Sequence, residues 1–563
     1  MTDSTESTST TTVYGTPVVP GVAYAPAAWT RRPPMPPVSA PELPEDEREG
    51  AVAAFDAASQ AVADGLFKRA SEAEGHVAEV LTVTASLATD RAWKREATGR
   101  ILKGTPPVQA TMAATAKFIS LFEKAGGLME ERTTDLRDVR DRVIAHLQGQ
   151  PEPGIPVVDH PVVLLADDLS PADTAGLRPE LYVAIATEVG GPTSHTSIIA
   201  RQLGIPCIVA ARELAEIPDG APVLVDAHKG TLALGVDPAE AEAAVAEDAQ
   251  RVELIRQWHG PAHTADGVPV QLLANVQDGA GAHAAAAGEA EGVGLFRTEL
   301  LFLNTPVEPT VESQTESYEP VFEAFPTAKV VVRTLDAGSD KPVPFATLSE
   351  EFNPALGVRG IRTTGHNEKL LIHQLDAVAA AAKLQPGTDV WVMAPMVSTI
   401  PEAEWFTGLV HERGLKAGIM IEVPSAVILI DQFLEVVDFV SIGTNDLTQY
   451  TMAADRMSPH LAEYTDPWQP AVLALIARTA EEGKVQHKPV GVCGEAAADP
   501  LLACVLTGMG ITSLSMATNA IPPVGAELSQ VTLAQCRAAA EAVKGSRDAK
   551  DARDRARTAL GLI

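Results

Sequence analysis

The sequence of 563 residues is poor in cysteine, in basic residues and in long apolar runs, and each shortage excludes a class of protein. Its four cysteines have no paired spacing, which argues against a disulfide framework and against a zinc site. No apolar run approaches the length of a membrane-spanning helix, so we expect no membrane insertion. The first 15 residues lack a basic start followed by an apolar core, which predicts a disordered tail rather than a signal peptide. A cytoplasmic protein is the simplest interpretation.

The shortage of basic residues leaves a formal net charge of −31. Nucleic acid and anionic membrane surfaces repel a chain of this charge, so neither is an expected partner. A basic protein partner is compatible with this negative charge.

Composition changes along the chain predict several domains, because a single core rarely serves so long a chain. Residues 45–150 alternate charged residues with alanine or leucine at helical spacing, which predicts a helical bundle. Short Val/Ile/Leu runs follow from residue 156 and also precede the bundle at 16–25, which predicts an α/β domain with the bundle inserted into it. Residues 238–258 are rich in alanine and glutamate and predict a helical connector.

Beyond the connector, eight strand-like runs recur, most of them separated by helix-like segments. They are 270–276, 292–296, 329–335, 390–395, 417–423, 437–443, 489–493 and 511–516. Eight such units predict a (β/α)₈ barrel, with an open doubly wound sheet as the alternative.

One histidine, His195, stands between a glycine pair and an apolar run that reads as a helix. A strand at 181–186, a glycine turn and a helix start form a geometry that holds an anion, because the first amides of a helix have no internal partners. A histidine placed there is a candidate for phosphorylation. The alternative is a histidine that only caps the helix or packs in the core.

The predicted barrel strands end in polar residues, where catalytic groups of such barrels lie. Arginines at several of these ends suit a phosphate or carboxylate, and carboxylates with substrate oxygens suit Mg²⁺. The arginines could instead be structural partners of the acidic residues. Cys493, also at a strand end, fits a proton-transfer role, with an inert buried thiol as the alternative.

Seven ordered motifs carry a resemblance that extends from about residue 16 to about residue 544. They are GGPTSHTSIIAR, EGVGLFRTELLF, VVRTLDAGSDK, NPALGVRGIR, IMIEVPSA, SIGTNDLTQYTMAADR and VCGEAAADP. With these motifs the chain resembles the enzyme I family of the bacterial phosphoenolpyruvate:sugar phosphotransferase system. The fold that the resemblance implies is a multidomain one: a swivelling phosphohistidine α/β domain with an inserted helical bundle, and a C-terminal (β/α)₈ TIM barrel.

The resemblance implies that phosphoenolpyruvate (PEP) binds with Mg²⁺ at the barrel and phosphorylates His195 through Nε2, leaving pyruvate. The phosphoryl group then passes to a histidine of the carrier protein HPr, the first step of sugar uptake. The implied substrate-binding residues are Arg297, Arg333, Asn445, Asp446 and Arg456. Glu422 and Asp446 are the implied metal ligands, and Cys493 the implied acid. A homodimer through the barrel is also implied.

The implied domains complete this prediction. They are a tail at 1–15, the phosphohistidine domain at 16–44 and 151–236, an HPr-binding subdomain at 45–150, a helical linker at 237–261, the PEP-binding barrel at 262–545 and a tail at 546–563.

Two other functions share parts of this pattern. A pyruvate phosphate dikinase or PEP synthase has the same histidine and barrel motifs, but it needs a large ATP-binding domain before the histidine, where this chain has about 190 mostly helical residues. A signalling scaffold without turnover is expected to have lost a reactive residue, yet His195, Glu422, Asp446 and Cys493 are all present.

Overall fold

In the computed structural model the chain divides into two compact units, residues 1–251 and 252–563. The structure describes residues 11–30, 36–72, 75–125, 128–150, 153–169, 173, 177–191, 194–303, 305–338, 343, 345–348, 351–456, 458, 461 and 463–562.

The first unit contains one mixed sheet with the strand order β1-β8-β7-β3-β4-β5-β6-β2. Its strands are β1 (Thr11–Tyr14), β2 (Thr16–Val19), β3 (Val22–Trp29), β4 (Val162–Ala166), β5 (Tyr182–Thr187), β6 (Cys207–Val209), β7 (Pro222–Asp226) and β8 (Thr231–Leu234). β3 and β4 are parallel neighbours although more than a hundred residues separate them, so the helical bundle is inserted within the sheet, as predicted.

The N-terminal boundary of this sheet differs from the prediction. β1 pairs antiparallel with β8, with Thr11 opposite Leu234. The prediction of a disordered tail at 1–15 is therefore wrong for residues 11–14, because hydrogen bonds to β8 hold them in a strand. The rest of that tail lies outside the described residues.

The inserted bundle has five helices among the residues that the structure describes. They are α1 (Arg48–Glu72), α2 (Gly75–Ala88), α3 (Arg91–Ile101), α4 (Pro107–Ala125) and α5 (Leu128–Leu147). Trp93 is buried at the centre, where its ring centroid lies 5.6 Å from that of Phe55 and its Nε1 donates to Thr115 Oγ1 at 3.0 Å. A polar partner for the indole N–H is what allows so large a side chain to be fully buried.

The described residues of this part of the chain contain two further helices, α6 (His195–Leu203) and α7 (Pro238–Gln257). The second occupies the predicted helical linker and carries the chain across the boundary between the two units.

The second unit is a closed barrel of eight parallel strands. They are β9 (Gln271–Val276), β10 (Val293–Arg297), β11 (Lys329–Arg333), β12 (Asp389–Ala394), β13 (Lys416–Ile421), β14 (Phe439–Gly443), β15 (Val490–Cys493) and β16 (Ser513–Met516). The last strand pairs with the first, Ser513 opposite Gln271, which closes the sheet. The (β/α)₈ barrel is therefore confirmed, and the open sheet is excluded.

Successive side chains of the strands pack into two different cores, as the two-residue period of a strand requires. Val330 and Val332 belong to the large core beneath the helices. Val331 lies between them and packs with Leu295 and Met420 in a smaller core inside the barrel.

Helices surround the barrel. They are α8 (Gly279–Ala286), α9 (Glu299–Leu303), α10 (Val311–Ala324), α11 (Glu368–Leu384), α12 (Ile400–His411), α13 (Pro424–Ile428), α14 (Ile430–Val436), α15 (Thr444–Met452), α16 (Pro470–Val485), α17 (Glu495–Ala498), α18 (Pro500–Met509), α19 (Ile521–Gln530), α20 (Leu533–Val543) and α21 (Ala549–Leu560). In the described part of the chain, no helix combines the length and apolar character needed to cross a membrane.

The last of these helices corrects the prediction of a C-terminal tail at 546–563. α21 buries Ala552, Ala556 and Leu560 in the same core as the barrel helices. Gln535 on α20 also donates from Nε2 to the Leu560 carbonyl at 2.9 Å. The barrel domain therefore continues to the end of α21.

If α21 is part of the barrel core, Leu560→Ala should lower the free energy of unfolding by about 2–5 kcal/mol, the usual cost of truncating a buried leucine. The control is Leu384→Ala, because Leu384 is 54% exposed at the end of α11, and its expected effect is about 0.5 kcal/mol or less. Urea unfolding followed by tryptophan fluorescence measures both. Equal effects of the two substitutions would contradict the packing of α21.

Candidate active site

Five of the eight barrel strands carry a polar residue at or just after the same end. Because all strands are parallel, these residues converge on one end of the barrel. There they line a cavity of about 430 Å³, which we call the mouth. The predicted site residues that line the mouth are Arg297, Arg333, Glu422, Asn445, Asp446, Arg456 and Cys493.

Buried ion pairs connect the arginines of the mouth to one another through shared carboxylates. Arg333 lies 2.6 Å from Glu299 and 3.3 Å from Asp336. Asp336 also lies 2.9 Å from Arg359, whose other neighbour, Asp446, is 2.8 Å away. All five side chains are buried, so each charge depends on these partners. Burial alone lowers the pKa of the two arginines, but the carboxylates outweigh it and raise both above the ordinary value.

The remaining two arginines of the mouth differ from these. Arg456 extends the network with a contact of 3.5 Å to Asp446. Arg297 makes no ion pair or side-chain hydrogen bond with the residues that the structure describes, and its Nε is buried without a partner. Arg297 is therefore the guanidinium group that is ready for an anionic ligand.

Glu422 is fully buried and only half satisfied. Its Oε1 accepts a hydrogen bond of 2.6 Å from the Met396 amide, whereas Oε2 has no partner. Burial, together with repulsion from Asp446 and Asp336, raises the pKa of Glu422 to about 8, against the lowering effects of Arg333 and Arg359. Gly443 leaves space beside the free oxygen, since a Cβ at that position would lie 2.8 Å from Oε2. A buried carboxylate oxygen with room next to it suits a cation.

The donor set of the mouth fits Mg²⁺ only in part. Among the described residues, no group of three His, Cys, Asp or Glu side chains could hold a metal ion unaided. Mg²⁺ commonly takes one or two carboxylates and completes its shell with water and substrate phosphate. Glu422 offers a free oxygen for this purpose, but Asp446 is engaged by Arg359 and Arg456. The residues therefore fit an ion whose binding is shared with the substrate.

Cys493 ends β15 with its thiol in the mouth. It is buried, and its Sγ donates to the Ile442 carbonyl at 3.4 Å. Burial raises the pKa of Cys493, and Glu422 raises it further, against the lowering effects of Ser441 and the nearby arginines. The thiol is therefore protonated at neutral pH and is able to donate a proton.

The predicted strand, glycine turn and helix start are present in the first unit. β5 ends at Thr187, Gly190 has a φ of +100°, and α6 begins at His195 with Ser194 as its N-cap. The Ser194 hydroxyl accepts from the Ser197 amide at 3.3 Å, which satisfies one of the unpaired amides of the helix start. The imidazole of His195 lies outside the described residues, as do residues 192 and 193, so its role remains a prediction.

Three sequence-family models of the PEP-utilising enzymes match the chain in order. They are the N-terminal domain at 14–132, the mobile domain at 158–230 and the PEP-binding domain at 251–533. The phosphoenolpyruvate-protein phosphotransferase of Streptomyces coelicolor is 46% identical, covering 92% of this chain and 94% of that protein. Those of Haloferax volcanii and Bacillus subtilis are 40% and 34% identical, covering 79% and 75% of this chain and 80% and 77% of those proteins. The chain belongs to the phosphoenolpyruvate-protein phosphotransferase family.

Membership of this family confirms the resemblance to enzyme I that the seven motifs indicated, and it makes the chain an enzyme of the transferase class.

Three charged residues of the mouth network were not among the predicted site residues: Glu299, Asp336 and Arg359. Glu299 lies two residues after β10 and Asp336 three residues after β11, and Arg359 lies in the NPALGVRGIR motif. The signal in the sequence is a carboxylate two or three residues after the arginine that ends a strand, because a buried charge needs a partner.

Asp336 holds two buried arginines, so Asp336→Asn should destabilise the barrel by about 3–5 kcal/mol, the usual cost of breaking a buried ion pair. The matched control is Asp376→Asn. Its carboxylate lies 2.7 Å from Arg413 but is 46% exposed, and an exposed pair contributes about 0–1 kcal/mol. Urea denaturation at neutral pH measures both. A loss at Asp336 no larger than that at Asp376 would show that the network is not structural.

Proposed function

We propose that the chain takes the phosphoryl group of PEP onto His195 and transfers it to a histidine of HPr, the first step of sugar uptake by a phosphotransferase system. The observation that carries this proposal is the mouth of the barrel, where an unpartnered Arg297 lies beside a fixed network of arginines in a member of this family.

PEP is a small trianion, and the mouth supplies positive charge for it at a defined place. We assign Arg297, Arg333 and Arg456 to the phosphate, with Asn445 and the Asp446 backbone assisting. Arginine suits this task because its planar donors match phosphate oxygens in pairs. The Asn445 Oδ1 accepts from the Glu495 amide at 3.3 Å, which orients the carboxamide in the mouth.

We assign Mg²⁺ to Glu422 and Asp446. When bound, the ion would supply positive charge for the phosphoryl oxygens and for the enolate that leaves. Arg359 and Arg456 also contact Asp446, so the ion would share that carboxylate with the two arginines.

The transfer step needs a neutral His195. Its Nε2 forms the bond to phosphorus while the bond between phosphorus and the enol oxygen of PEP breaks. The electron pair released into the enolate takes the Cys493 thiol proton at carbon 3, which gives pyruvate and a thiolate that solvent reprotonates. The raised pKa of Cys493 supports this role, because the thiol must carry its proton when PEP arrives.

We further assign the bundle at 45–150 to HPr docking, the sheet to the phosphohistidine domain and the barrel to PEP. A homodimer through the barrel is supported by the exposed apolar side chains of Val307, Phe352 and Leu356, which follow β10 and β11. A cytoplasmic location is supported by the four cysteines, all of which are free thiols.

Incubation with ³²P-labelled PEP, Mg²⁺ and purified HPr tests the proposal. We expect acid-labile label on this chain and on HPr, and on neither when Mg²⁺ is removed. His195→Ala should lose both labels, while His160→Ala, a histidine on the exposed surface of the same unit, should keep both. Labelling from ATP and phosphate in place of PEP would favour the dikinase alternative, and the absence of any label would favour a scaffold.

Cys493→Ala should reduce steady-state pyruvate formation by about 10²–10⁴, the usual contribution of a general acid. Cys504→Ala, which removes a buried thiol from α18, is the matched control and should retain its activity. Pyruvate formation is followed over time by NMR. Unchanged turnover in the Cys493 variant would remove the thiol from the mechanism.

A further inference from the structure

A second cavity lies at the end of the barrel opposite the mouth. Its volume is about 820 Å³, and it is lined by the first residues of three strands, Gln271, Lys329 and Asp389, and by residues 487–490 before and at the start of β15. We call it the basal cavity. None of the residues proposed for phosphoryl transfer lines it.

Lysines gather at the basal cavity in a chain that is otherwise strongly acidic. The sequence contains fifteen lysines, of which Lys329, Lys484 and Lys488 line this cavity, and Lys416 lies at its edge. The local excess of positive charge is therefore not a consequence of composition.

The carboxylates at this end are already engaged. Asp389 accepts from Lys416 through both oxygens at 3.0 Å. Glu291 accepts from the amides of Leu272 and Ala262 at 3.1 and 3.4 Å. Neither carboxylate forms an ion pair with a lysine that lines the cavity.

Lys329 is the most deeply placed of these lysines and lacks a polar partner. Its Nζ lies 4.9 Å from the centroid of the Trp391 ring, and it makes no ion pair or hydrogen bond within the described ranges. Burial lowers the pKa of Lys329 to about 8, Asp389 and Glu291 oppose this effect, and Lys416 adds to it. A half-buried ammonium group without an anionic partner is stabilised by any anion that reaches it.

Trp391 also lines the basal cavity. Its ring lies beneath Lys329 and Lys416, with the second ammonium 4.6 Å from the centroid, and its Nε1 is buried with no acceptor. Because two ammonium groups lie over this ring, the Trp391 indole should report any anion that reaches them.

We propose that the basal cavity is a binding site for a small anion whose carboxylate or phosphate oxygens contact Lys329, with Lys484 at the rim. The cavity is large enough for a metabolite that carries such a group. Its position at the opposite end of the barrel means that the ligand does not compete with PEP.

The six tryptophans allow the site to be observed directly by ¹H–¹⁵N NMR of the indole groups. Inorganic phosphate and citrate are titrated separately, and Trp391→Phe identifies the Trp391 resonance. We expect that resonance to shift and saturate with at least one of the two anions, and the anion that saturates it identifies phosphate or carboxylate as the preferred group.

Three variants locate the binding. Lys329→Gln should weaken it by at least about tenfold, the equivalent of one charge-assisted hydrogen bond. Lys383→Gln removes an exposed lysine from α11 and should leave it unchanged. Arg297→Ala disables the mouth and should also leave it unchanged. If the other indole resonances show that Lys329→Gln is misfolded, Lys484→Gln replaces it, because Lys484 is exposed and should weaken binding without unfolding.

Three results would overturn the proposal. The first is a Trp391 shift that does not saturate with either anion. The second is a shift that disappears in Arg297→Ala and persists in Lys329→Gln, which would assign the binding to the mouth. The third is equal weakening by Lys383→Gln and Lys329→Gln, which would indicate general charge screening.

Discussion

The barrel mouth depends on one constraint: an arginine that leaves water needs a carboxylate beside it. Arg333 and Arg359 meet this constraint with Glu299, Asp336 and Asp446. These carboxylates follow three different strands, β10, β11 and β14, so the ion pairs fix separate strand ends relative to one another. Charges held in this way need little rearrangement when a substrate arrives, and this preorganisation is what makes electrostatic catalysis effective.

Against this balanced network, the unpartnered groups of the mouth are the ones left for ligands. Arg297 has a buried Nε without an acceptor, and Glu422 has a buried Oε2 without a donor. Arg297 is therefore available to an anion, and Glu422 to a cation. The satisfied pairs set the geometry, and the unsatisfied atoms determine what the mouth binds.

The sequence predicted secondary structure best for the barrel strands, which are buried on both faces of the sheet. Each barrel strand lies within two residues of its predicted range at both ends, because strands of a parallel barrel read as continuous apolar runs. β1 was missed because its sequence is polar and its partner, β8, lies more than two hundred residues away. α21 was missed because its charged residues conceal a narrow buried stripe. The site residues that came from the motifs line the mouth together, but the pairing of Asp336 with Arg359 depends on the folding of two loops, which no local pattern reports.

The insertion of the bundle between β3 and β4 has a consequence for synthesis on the ribosome. β1 pairs with β8, β2 with β6, and β3 with β4 and β7, so the first partner strand to be made begins at Val162. The bundle has mainly local contacts and can fold at this stage, whereas β1, β2 and β3 still lack their partner strands. The sheet remains incomplete until β8 has been translated at Thr231–Leu234. Throughout that interval the nascent chain exposes unpaired strand edges, the kind of surface through which growing chains aggregate and which chaperones cover.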